Sequence, residues 1–136
     1  MAVNLLSRRE HTQLELETKL KSKGFEAQAI ADAMHLLHER DLQSDARYLE
    51  DFVRSRMLKG YGPLRISQDC RQRGVDENLF NQYMNSEDFN WMQLAQDIYI
   101  KKYGENLPID ALDKAKRVRF MQSKGFPSDI IFQLFK

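Results

Sequence analysis

A cation, a glycine and an apolar residue recur in that order about every fifty positions along this chain of 136 residues. The pattern reads Ser22-Lys23-Gly24-Phe25, then Gln72-Arg73-Gly74-Val75, then Ser123-Lys124-Gly125-Phe126, so the glycines lie 50 and then 51 positions apart. Leu20, Cys70 and Met121 stand four residues before these glycines, and Ile30, Phe80 and Ile131 stand six after. Glycine just past a helix end adopts the left-handed conformation at little cost, so each block predicts a helix, a glycine stop and a second helix. A fixed period of this kind implies stacked units that share a core. Such a chain has no single cleft to organise catalysis, and its function is expected to lie in what its surface binds.

The remaining elements also read as helices. Thr12 with Glu15 three residues on has the form of a capping box, opening a helix from about Gln13 to Ser22. A short helical piece over about Ala2 to Arg9 precedes it, and a helix over about Glu26 to Glu39 follows, burying Ile30, Ala33, Met34 and Leu37. Asp45 is the expected cap of a helix to about Leu58, whose stripe carries Leu49, Phe52, Val53 and Arg56. The place of Arg56 on that stripe predicts a partly buried, structural guanidinium. Lys59-Gly60-Tyr61-Gly62-Pro63 is a break, with Gly60 or Gly62 expected at positive φ and Pro63 suited to the first turn of the next helix. Pro63 to Gln72 and Asp76 to Met84 then pair. A shift of 42 lays Leu49, Phe52, Tyr61 and Gly62 over Trp91, Leu94, Tyr103 and Gly104, and the region from Glu105 to Asp110 is a longer connection. Asp110 is expected to cap a helix to Ser123, and Pro127 to begin the last one. No segment alternates apolar and polar residues long enough to favour a strand. The fold class expected is all-α: three tandem three-helix repeats, 1–43, 44–86 and 87–136, forming an elongated, curved helical array.

Catalytic and metal chemistry find little support. His35 and His38 are three apart on one helix, but no carboxylate or thiol is placed to complete a metal shell. Gly60-Tyr61-Gly62 lacks the Gly-Lys-Ser/Thr that a phosphate-binding loop needs. Cys70, the single cysteine, occupies the position of Leu20 and Met121 and is expected to be buried, in a reducing cytoplasm. No apolar run is long enough to span a bilayer, and Met1 to Leu6 is too short for a signal-peptide core. The expectation is a monomeric binding protein, not an enzyme, with no cofactor, no metal and no membrane.

Charge is what the chain distributes unevenly. The net charge is only +1, yet from Phe52 to Val75 six basic residues face Asp69 alone. Five acids and no cation lie between Val75 and Ile100, and Lys114, Lys116, Arg117, Arg119 and Lys124 form a second basic block. The central cations are either a solvated surface favoured at helix C-termini or a patch for phosphates or an acidic protein. Tyr61 is the only aromatic among them, which speaks against a base-stacking platform. The candidate partner-binding residues are Arg54, Lys59, Tyr61, Arg65, Arg71 and Arg73, with Lys101, Lys102, Lys114, Lys116 and Arg119 in the last third.

One long motif is specific. Asp45-Ala46-Arg47-Tyr48, Phe52-Val53-Arg54-Ser55-Arg56 and Lys59-Gly60-Tyr61-Gly62-Pro63-Leu64-Arg65-Ile66, ending at Arg73-Gly74-Val75, resemble the signature of the RecX family. Leu5-Leu6-Ser7-Arg8-Arg9-Glu10-His11-Thr12 is similar to that family's opening unit, and Asn90-Trp91, Leu94-Ala95 and Lys102-Tyr103-Gly104 are similar to its third. Cys70 departs from the pattern, where an aliphatic residue is usual. The resemblance implies a regulator that binds the RecA–DNA filament and restrains recombination, ATP hydrolysis and co-protease activity in DNA repair and the SOS response. Weak, non-specific binding of single- or double-stranded DNA is a further expectation. The alternative is a basic-patch nucleic-acid binder that affects RecA only indirectly.

Overall fold

The computed structural model describes residues 2–136; Met1 and the side chains of Ser7 and Arg8, which fall in the opening motif, lie outside the described residues. Among the described residues nine helices follow in order: α1 (Ala2–Arg8), α2 (Gln13–Ser22), α3 (Ala27–Glu39), α4 (Asp45–Leu58), α5 (Pro63–Gln72), α6 (Glu77–Ser86), α7 (Trp91–Tyr103), α8 (Ala111–Ser123) and α9 (Ser128–Gln133). Among the described residues there is no strand.

The glycine repeat is a repeated helix stop. Gly24, Gly74 and Gly125 have φ of 90°, 84° and 96°. In each case the amide after the glycine donates back to the carbonyl five residues earlier: Phe25 to Leu20 (3.3 Å), Val75 to Cys70 (3.0 Å) and Phe126 to Met121 (3.3 Å). The residue four before the glycine therefore has two tasks. Its carbonyl closes the helix end, and its side chain enters a core, which explains why that position stays apolar. Gly60 ends α4 in the same way at φ 88°, with Tyr61 N–H donating to Arg56 O at 3.0 Å. Asp41 ends α3 at φ 52° without a glycine.

Two local expectations need correction. Asp45 is the first residue of α4 and not its cap. The Ser44 hydroxyl accepts from the Arg47 amide at 3.2 Å, while the Asp45 carboxylate accepts from the Gln13 amide at 2.9 Å and from the Gln43 side chain at 2.7 Å. A serine and an aspartate in succession offer the same capping chemistry, and a tertiary partner for the aspartate decides between them. The final helix begins at Ser128, with Pro127 as its extended cap residue. Thr12 forms the expected capping box, its hydroxyl oxygen accepting from Glu15 N–H at 3.0 Å and Glu15 accepting from Thr12 N–H at 3.1 Å.

The chain packs as two compact units, Met1–Phe52 with Cys70–Tyr83, and Val53–Asp69 with Met84–Lys136. In the first, Leu16, Leu20, Met34 and Leu37 close on Ala2, with Leu5, Leu6 and Ile30 at the margin. Each such side chain stabilises its unit by roughly 1.5–3 kcal/mol when fully buried. In the same unit the Thr12 hydroxyl donates to Arg73 O at 2.7 Å, and the Arg73 guanidinium lies 4.6 Å over the Phe52 ring.

The second unit is centred on Ala95, Tyr99, Met121, Phe126 and Ile131. Its buried cation is Arg117, which donates to Tyr99 Oη (2.8 Å), Asn106 O (2.7 Å) and Asp113 Oδ2 (3.1 Å). Asp113 also accepts from the Ile109 amide, which with Arg117 holds its carboxyl below the usual range. This network pins the 104–110 connection, so Arg117 is a structural residue within the second basic block.

Candidate partner-binding site

Within the second unit two glycine loops meet backbone to backbone. Gly62 N–H donates to Lys124 O at 2.7 Å, and Leu64 N–H donates to Gly125 O at 2.9 Å. The amides at the start of a helix and the carbonyls at the end of another have no partner within their own helices. Here the start of α5 and the end of α8 satisfy each other, and their opposed partial charges add to the attraction. The approach is possible because both loops carry glycine. A Cβ on Gly62 would lie 2.6 Å from Gly125 O, and one on Gly125 would lie 2.4 Å from Arg65 Cβ and 2.6 Å from Arg65 N. Gly62 is thus needed for closeness, whereas Gly60 is the one with positive φ.

This backbone junction assembles a cationic cage on one aromatic ring. The Arg65 guanidinium lies 4.0 Å over the Tyr61 centroid, the Lys124 ammonium 5.2 Å and the Arg56 guanidinium 5.6 Å from it. Arg65 is further fixed by donating to Ser123 O at 3.2 Å. Arg56 has a carboxylate near it, Asp69 at 3.9 Å, and is mostly buried, in line with the structural role read from its position. Among the described residues neither Arg65 nor Lys124 has an acidic partner within 4.0 Å. A tyrosine face attracts each cation through its quadrupole and leaves the cations' charge in place.

The other candidate residues are scattered. Arg54 and Lys59 are exposed in the same unit as the cage. Arg71 and Arg73 belong to the first unit, where Arg71 is exposed and lies 3.9 Å from Glu77, and Arg73 packs on Phe52. Lys101, Lys102, Lys114, Lys116 and Arg119 are all exposed, Lys102 lying 5.3 Å from Phe120 and Lys114 5.3 Å from Phe135. The cation of the cage that sequence reasoning left out of the candidate site, apart from Arg56, is Lys124. Its signal was the Lys-Gly repeat itself, but nothing in the spacing says that this loop meets Gly62.

No catalytic or metal grouping emerges around these residues. His35 pairs with Glu39 (3.0 Å) and His38 with Gln43 (2.6 Å), so the two histidines serve different neighbours. Among the described residues no group of three or more His, Cys, Asp or Glu side chains could hold a metal, and no helix is long and apolar enough to cross a membrane.

Three family models match the chain: RecX, first three-helix domain, over residues 1–37; second three-helix domain, over 44–84; and third three-helix domain, over 91–135. The chain belongs to the RecX family. It is 40% identical over 133 residues to the regulatory protein RecX of Pseudomonas fluorescens, covering 98% of this chain and 86% of that one. Identity is also 40% with the regulatory protein RecX of Pseudomonas putida strain W619, over 98% and 85% of the two chains. The crystal structure of RecX from Lactobacillus salivarius superposes with a TM-score of 0.81 at 25% identity, over 98% of this chain and 88% of that one. Membership establishes the all-helical, three-domain architecture and a regulatory role, and the chain is a regulator rather than an enzyme. The Tyr61 cage draws Arg56, Tyr61 and Arg65 from the second domain and Lys124 from the third.

Proposed function

We propose that this protein binds the RecA–DNA filament and inhibits RecA's recombinase, ATPase and co-protease activities, in DNA repair and the SOS response. Its relatives' name, regulatory protein RecX, supports a regulatory role. The observation that carries the site is the cage, where Arg65 and Lys124 converge on Tyr61 without a carboxylate of their own. Concentrated cationic charge is costly to hold and favours an anionic partner. Arg54, Lys59, Lys101, Lys102, Lys114, Lys116 and Arg119, all exposed in the same unit, are the further candidate contacts. Several such contacts would add through effective concentration on a filament that repeats its protomers. We take the repeats as 1–43, 44–86 and 87–136, and the working form as a cytoplasmic monomer.

The test replaces Arg54, Lys59 and Arg65 together with alanine and compares the product with a Lys114, Lys116 and Arg119 triple variant. Loss of RecA inhibition in the first, with the helical fold retained, is the expected result. Full inhibition by the first and loss in the second would move the site to the third repeat. Direct nucleic-acid binding is the competing mechanism, and it would show as tight binding to naked DNA with a steep dependence on salt.

A further inference from the structure

We propose that the Tyr61 cage anchors a carboxylate on an acidic, partly apolar segment of a protein partner, and does not track a nucleic-acid backbone. This rests on the reading that the chain acts by binding the RecA filament, and it says which component of that filament the cage meets.

The cations gather around one aromatic ring. Arg65, Lys124 and Arg56 all lie within 5.6 Å of one ring centroid, and Asp69 accompanies Arg56. A nucleic-acid strand presents a row of phosphates, which calls for cations strung along a groove. One anionic group between Arg65 and Lys124 would relieve their mutual repulsion. The Arg65 fork is also set in advance. Its guanidinium carbon lies 4.0 Å over the Tyr61 centroid, one terminal nitrogen donates to Ser123 O at 3.2 Å, and its backbone is pressed against Gly125. A guanidinium so held loses little rotamer freedom on binding and presents its remaining donors in a planar array suited to a carboxylate.

Two further features separate protein from nucleic acid. Arg65 covers a face of Tyr61 at stacking distance, so that face cannot take a base. Leu58 and Leu64, three residues either side of Tyr61, are 84% and 58% exposed. A phosphate backbone has nothing apolar to place on them. Protein interfaces commonly combine arginine and aromatic anchors with apolar contact.

The experiment compares the wild type with R65Q/K124Q, which removes the charge and keeps a long polar side chain, and with L58S/L64S, which removes apolar surface at two exposed positions. Binding is measured to RecA assembled on a single-stranded oligonucleotide, and separately to the same oligonucleotide without RecA. Both double variants are expected to bind the filament about tenfold more weakly or worse, the scale of losing an interface anchor. Neither should change binding to the bare oligonucleotide by more than about twofold. The inference is overturned if R65Q/K124Q loses oligonucleotide binding while L58S/L64S binds the filament normally, which would mark a phosphate site. It is equally overturned if both variants bind the filament as the wild type does. Should R65Q/K124Q unfold, L58S/L64S, altered only at exposed positions, carries the same comparison. A wild type that fails to bind the filament at all would instead refute the proposed function, and this inference with it.

Discussion

Replacing Gly125 with alanine isolates the backbone junction from which the cage is built. At φ 96° any L side chain is strained, by about 1–2 kcal/mol. The new Cβ would also lie 2.4 Å from Arg65 Cβ and 2.6 Å from Arg65 N, so no side-chain rotation relieves the collision. The loops must separate, and the bonds Gly62 to Lys124 and Leu64 to Gly125 then weaken, each contributing about 1 kcal/mol. The total expected is about 3–4 kcal/mol from strain plus two lost bonds. Gly24→Ala is the matched control. It has nearly the same φ, 90°, but a Cβ there meets nothing within 4 Å, so only the conformational cost of about 1–2 kcal/mol remains. Urea denaturation followed by Trp91 fluorescence reports the unit containing Gly125, and circular dichroism follows the Gly24 variant. A Gly125→Ala cost within about 0.5 kcal/mol of the Gly24→Ala cost, the usual additivity error, would refute the close-approach reasoning.

Two other outcomes follow from buried polar groups. His11 is almost fully buried; its Nδ1 faces Arg9 O at 3.0 Å and its Nε2 faces the Lys19 ammonium at 3.2 Å. Burial above all, then the charges of Arg9 and Lys19, outweigh the Arg9 carbonyl and Glu15 and lower its pKa from 6.5, so the unfolded chain takes up the proton first as pH falls. Stability is therefore unaffected well above pH 6.5 and declines as pH drops below it. His11→Asn should flatten the melting temperature between about pH 6.5 and 5, and an unchanged slope would show that carboxylates are responsible. Arg117→Met should speed amide exchange at Ile109 and lower the melting temperature, because Tyr99, Asn106 and Asp113 lose their common donor. Unaltered exchange at Ile109 would mean that the connection is held by other contacts.

The helices were legible because their signals are local. Thr12 with Glu15 and each Lys/Arg-Gly-apolar triplet act within one turn, and the helices they delimit lie where those residues direct. The buried positions at Leu20, Cys70 and Met121 were legible for the same reason, since one residue both closes the helix and fills the core, and Phe80 and Ile131 were legible from their fixed place six residues after the glycine. Arg56 was rightly set apart from the surface cations by its place on an apolar stripe. What stayed hidden depends on tertiary partners. The stop at Asp41 uses a non-glycine residue, and the choice of Ser44 over Asp45 depends on Gln13 and Gln43. The cage is the largest such case. Lys124 lies 63 positions from Tyr61, and only the pairing of a helix end with a helix start brings them together. Charge counting could find the basic blocks without showing that Arg71 and Arg73 belong to a different unit from Arg65.

The most direct test of the regulatory role is RecA's ATP hydrolysis on single-stranded DNA as increasing amounts of this protein are added. A filament-binding inhibitor lowers the rate progressively towards a plateau, and the R65Q/K124Q variant needs more protein to reach it. A rate that stays constant up to an excess of this protein over RecA would contradict the proposed function.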